Sequence, residues 1–128
     1  MADSRTIGSD EIGKVEFNSL LFDFYGQLLP AKQRTVMELY HEDDLSLSEI
    51  AEDLSTSRQA VHYTLKQAEK KLVSFEEALG LVERFSRNKR EAARASKIAE
   101  SLRTSVSGDS DAQKRLSELE KIISFLGE

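Results

Sequence analysis

From Val15 to Leu29, apolar positions recur at spacings of three and four. Phe17, Leu20, Leu21, Phe24, Tyr25 and Leu28 fall on one stripe and predict an aromatic-rich, core-forming helix. Pro30, the only proline, has no amide hydrogen and biases Leu29 away from helical backbone. It therefore opens a second helix, which runs to about His41 and buries Val36, Leu39 and Tyr40. "HEDDLS" breaks the pattern. Ser46 followed by Glu49 then forms a capping box for a short helix from Leu47 to Leu54. Ser57 is preferred over Ser55 and Thr56 as the next cap, because Val61 and Leu65 begin a buried face one turn later.

Beyond Ser57, the positions Val61, Leu65, Ala68, Leu72, Phe75, Leu79 and Val82 alternate spacings of four and three, predicting a single long helix over 57–84. Such a helix extends ~42 Å, more than the short helices before it can cover. A coiled-coil-like homodimer is the expected cover, with an intramolecular seam filled by the first helix or the C-terminal helices as the alternative. Asn88 with Glu91 marks a further helix start, followed by a close-packing face of Ala92, Ala95 and Ala99 with Ile98 and Leu102. "SVSGDSDA" is the clearest break, and Ser110 with Gln113 caps a last helix striped by Leu116, Leu119, Ile122, Ile123 and Leu126.

These elements predict an all-α chain: a leader at 1–14, a helix-turn-helix domain with a long recognition helix at 15–85, and a C-terminal helical extension at 86–128. The 128 residues, 39% hydrophobic, suit one domain or one domain with an extension. There is no Cys, which removes disulfides, thiolate metal sites and Cys nucleophiles. No run approaches the ~18 apolar residues of a spanning helix, and the polar leader does not read as a secretory signal. A cytoplasmic location without membrane insertion is the expectation.

The segment "LSEIAEDLSTSRQAVHYTLKQ" carries the strongest signal. Its first helix should bury Ile50 and Leu54, small Ala51 permits a close crossing, and Val61 with Leu65 packs back. Such a joint turns Arg58, Gln59, His62, Tyr63 and Lys66 outward, with Lys70 one turn further on. Arg58 can fork onto guanine, Gln59 can pair with adenine, and Lys66 suits a phosphate. Ser55 stands where the turn usually takes Gly, at a cost of roughly 1 kcal/mol if it is left-handed. Helix pairs with tight turns also occur in many proteins that never touch DNA, and exposed polar faces are ordinary.

Charge sharpens the picture. The net charge is −5, and residues 1–45 hold four Lys/Arg against nine Asp/Glu. Within 57–74, however, Arg58, Lys66, Lys70 and Lys71 face only Glu69, so a polyanion would meet the protein there. The basic run Arg84, Arg87, Lys89, Arg90, Arg94, Lys97 and Arg103 is a possible RNA-facing stripe; interleaved Glu83, Glu91 and Glu100 favour a solvated helix face instead. His41 and His62 have no partner at metal-ligand spacing, and neither a nucleophile elbow nor a phosphate-binding glycine loop is present. No enzymatic activity, metal, cofactor or small-molecule substrate is expected.

Tyr25, Leu28, Leu29, Lys32 and Gln33, then Asp43, Asp44, Ser46, Leu47, Glu49, Ile50, Ala51 and Glu52, then Ser57 to Val61, resemble in register the motifs of the YlxM family, small bacterial helix-turn-helix proteins. The match covers roughly residues 15–85 and departs at Ser55 and Thr56, where the family usually has Gly and an aliphatic residue. The family is similar to region 4 of sigma-70-type factors, which implies a DNA-binding ancestry. It is also associated with the signal recognition particle pathway. The resemblance therefore implies either an accessory or regulator of protein targeting that contacts the particle's GTPase or its RNA, or a transcriptional regulator that reads a DNA site.

Overall fold

The structure, a computed structural model, describes residues 13–128. Most of the expected leader therefore lies outside the described residues. Helix α1, Lys14–Tyr25, places Phe17, Leu21 and Tyr25 in the core at four-residue spacing. Its end tightens into a 3-10 turn, Gly26–Leu28, and Leu29 is extended before Pro30, as a residue preceding proline must be. Phe22 also enters the core, whereas Phe24 and Leu28, expected on the buried stripe, stand at the surface. A Cβ at Gly26 would lie 2.8 Å from the Phe22 ring, so the glycine makes room for that packing.

Pro30 immediately precedes α2, Ala31–Met37, which widens into a π-helical turn at Glu38–Glu42. Val36 and Met37 are buried, Leu39 is half-buried, and Tyr40 is exposed, contrary to its expected place inside. The wide turn shifts the register by one residue, which carries the last expected apolar positions off the core face. Helix α3, Leu47–Asp53, begins at the predicted box: Glu49 N donates to Ser46 Oγ at 3.1 Å, and Ser46 N donates to Glu49 Oε1 at 2.8 Å.

Helix α4, Arg58–Leu79, starts at Ser57 and stops at Gly80. One continuous helix to residue 84 was expected; instead Gly80 takes a left-handed φ of +64°, which ends α4 in the manner of a C-terminal glycine cap. Val61, Leu65, Ala68 and Leu72 are buried in one cluster with α1, α2 and α3. This part of the stripe is thus filled by the chain itself, while Leu79 is exposed.

Helix α5, Leu81–Ser105, runs without a new start at Asn88. It crosses from the first compact unit, which ends at Glu83, into the second, Arg84–Glu128. There it forms a hairpin with α6, Ser110–Leu126, around Ala99, Leu116 and Ile123. Asp109, not Ser110, caps α6: its carboxylate accepts from Asp111 N and Ala112 N, both at 3.1 Å. Gln113 instead donates back to the Val106 and Ser107 carbonyls, closing the turn. Among the described residues, no helix is long and apolar enough to cross a membrane.

Candidate nucleic-acid interface

The joint between α3 and α4 is set by two backbone hydrogen bonds. Thr56 N donates to Ala51 O at 2.9 Å, and Ser55 N donates to Glu52 O at 3.3 Å. This pairing requires a left-handed residue just past the helix, and Ser55 supplies it with φ of 54°. Ser57 then turns the chain into α4, its Oγ accepting from Ala60 N at 3.0 Å. Ile50 is fully buried and Ala51 nearly so, and Val61 and Leu65 pack over them from α4. Leu54, expected to be buried in this seam, is instead 38% exposed.

Burial of Val61, Thr64, Leu65, Ala68 and Leu72 fixes the rotation of α4. At 100° per residue, Arg58, His62, Lys66 and Lys70 then form one outward line, with Gln59 and Tyr63 beside it. All six are exposed, so the structure gathers every side chain proposed from the sequence onto one open face. Tyr63 is 65% exposed, a large ring turned mostly to solvent among the described residues. Lys66 pairs with Glu69 at 3.5 Å, a solvated contact worth little and easily exchanged for a phosphate or carboxylate. The face offers three full cations, two rings and an amide. It suits hydrogen bonding and stacking as well as contact with an anionic backbone.

The other end of α4 is anchored by a group that periodicity did not reveal. Glu76 is buried, and its carboxylate accepts from Tyr25 Oη at 2.5 Å, from Val82 N at 3.0 Å and from Glu83 N at 3.0 Å. The Tyr25 oxygen in turn accepts from Leu81 N at 3.0 Å. The first three amides of α5 are thereby satisfied across the Gly80 break, and a carboxylate sits at the positive end of that helix. Burial, with the Glu76 hydrogen bond next, pushes the Tyr25 phenol up to about 12. A signal was available: Glu76 lies four residues after Leu72, on the apolar line of α4 and just ahead of a glycine.

A short helix, a tight left-handed turn and a second helix with an exposed polar face define a helix-turn-helix protein. The chain belongs to the UPF0122 family, whose model, described as "Putative helix-turn-helix protein, YlxM / p13 like", matches residues 13–119. It is 56% identical over 68 residues to a UPF0122 protein of Desulforamulus reducens, covering 53% of this chain and 58% of that one. It is 57% identical over 68 residues to one of a Thermoanaerobacter species, with the same coverage of 53% and 58%. These matches therefore span less than two thirds of the relatives' length. A UPF0122 protein of Bacillus licheniformis is 43% identical over 102 residues, 80% of this chain and 89% of that one.

Proposed function

We propose that the chain is an accessory regulator of the signal recognition particle pathway that engages its partner, the particle's GTPase or RNA, through the exposed face of α4. The supporting observation is the composition of that face: Tyr63 stands 65% exposed among Arg58, Gln59, His62, Lys66 and Lys70. Three cations neutralise too few phosphates for tight binding to duplex DNA by one copy; a slope of about −3 in log K against log salt is the most they supply. The acidic first third, with nine Asp/Glu against four Lys/Arg in residues 1–45, adds repulsion. Proteins and unpaired bases accept an exposed ring and mixed hydrogen-bonding groups without that requirement. The choice of pathway rests on the YlxM resemblance.

A sequence-specific DNA-binding transcriptional regulator is the second reading. It is favoured by Arg58 and Gln59 in the first turn of α4, from which a recognition helix reaches base edges. A direct comparison separates the two. The full chain, with Tyr63→Ala and Arg58→Ala/Gln59→Ala variants, is titrated against the particle's GTPase, its RNA and a pool of duplex DNA. Saturable binding to GTPase or RNA that weakens at least tenfold with Tyr63→Ala supports the accessory role. Selection of one duplex sequence, lost with Arg58→Ala/Gln59→Ala while the particle's components do not bind, overturns it.

A further inference from the structure

The hairpin of α5 and α6 has too little interior for its size. Its unit, Arg84–Glu128, has 45 residues, yet its core contains only Ala99, Leu116 and Ile123, with Ala92, Ala95 and Val106 packed against them. Units near ~40 residues ordinarily need a staple or a second copy, and helical hairpins find one by pairing into four-helix bundles. There is no cysteine to act as a staple.

The hairpin's two broad faces are unlike each other. On one, Arg103 bonds Glu120 and, at 3.3 Å, Ser117 across the helices, closing that face with polar contacts. Helical rotation places Ile98 and Leu102 on the opposite side of α5, and Leu119, Ile122 and Leu126 on the same side of α6. Each of these five is roughly half-exposed, from Leu102 and Leu119 at 46% to Leu126 at 64%. Spacings of four along α5 and of three and four along α6 make them a continuous stripe. Scattered apolar residues on a surface are ordinary; five in register on two adjacent helices mark an interface.

We infer that this face binds a second copy of the chain, so that two hairpins form a four-helix bundle. This goes beyond the proposed function and does not depend on what α4 engages. The area is sufficient: α6 has 17 residues, giving a face ~26 Å long and ~20 Å wide, or about 500 Å² per copy and 1,000 Å² in all, the lower end for a specific association. Charge chooses between the two possible two-fold arrangements. Helix α5 carries seven Lys/Arg against three Glu, whereas α6 carries three of each sign. Laying α5 over its own copy sets like charges together, while laying it over the partner's α6 avoids this. The two-fold axis therefore runs along the helices, with α5 of each copy facing α6 of the other and Ile98 near Ile122 of the partner subunit.

Sedimentation equilibrium on the full chain, from low micromolar to several hundred micromolar, reads the association directly. The mass should rise from 14.4 kDa towards twice that value with a micromolar dissociation constant. Ile122→Lys should weaken it at least tenfold with unchanged helicity, whereas Leu79→Lys, outside the stripe, should leave it as it is. Because the chain has no cysteine, the arrangement can be tested by mixing two single-cysteine variants under mild oxidation. Ile98→Cys mixed with Ile122→Cys should give more crosslinked dimer than either alone. A single species of 14.4 kDa throughout the range overturns the inference, as does a dimer indifferent to Ile122→Lys. Crosslinking by Ile98→Cys alone that equals the mixture overturns the arrangement.

Discussion

Replacing Tyr25 with Phe removes one oxygen from the centre of the first unit and leaves its ring packing, including the tilted contact with Phe75 at 5.9 Å, in place. Two hydrogen bonds go with it: the donation to Glu76 at 2.5 Å and the acceptance from Leu81 N at 3.0 Å. The first is to a charged group and contributes ~1.5–3 kcal/mol; the second, at a partly solvated amide, adds about 1. Tyr25→Phe should therefore destabilise the protein by ~2–4 kcal/mol in urea unfolding followed by far-UV circular dichroism, and lower Tm by roughly 10 °C or more. The effect has a pH signature. The folded phenol titrates near 12 against an ordinary value of 10.0, so the neutral form is favoured by folding. The associated stability is complete below pH 10.0 and is lost as pH rises towards 12. The gap between wild type and Tyr25→Phe should narrow across that window. A variant within ~0.5 kcal/mol of wild type, or a gap unchanged over the window, refutes the account of Glu76 and Tyr25 as a coupled pair.

Three further changes test the backbone of the joint. Ser55→Gly relieves a left-handed non-glycine residue at φ of 54° and should raise stability by about 1 kcal/mol in the same urea assay. Gly80→Ala places a side chain at φ of +64° with nothing within 4 Å to clash, so the loss of ~1–2 kcal/mol should be conformational alone. Ser57→Ala removes the cap on Ala60 N and should cost ~1 kcal/mol, with hydrogen exchange accelerating first at the start of α4.

Local chemistry was the legible part of the sequence. Ser46 with Glu49 and Ser57 with Ala60 N are contacts within three residues, and they stand as the sequence implied. The six exposed side chains of α4 followed from the periodicity of Val61, Leu65 and Ala68 on the other face. The burial of the aromatic residues depended on distant partners. Phe22 and Phe24 are equally apolar, and only the position of α4 and the π turn decides which is covered; His41 of that turn stacks at 6.5 Å from Phe22. The apolar repeat passed through Gly80 because Val82 is indeed buried, but it belongs to the next helix. Asp109 displaced Ser110 as a cap by a single position, a choice between two good capping residues that composition alone does not make.

The contact between Tyr25 and Glu76 joins positions 51 residues apart, whereas the bonds that build the α3–α4 turn close within a few residues of each other. Short loops close sooner than long ones, so the turn should nucleate early and the phenol–carboxylate latch should shut last. Its energy then falls mainly on the escape rate from the native state. The latch thus governs how long α4 is held in place once folded, rather than how quickly it forms.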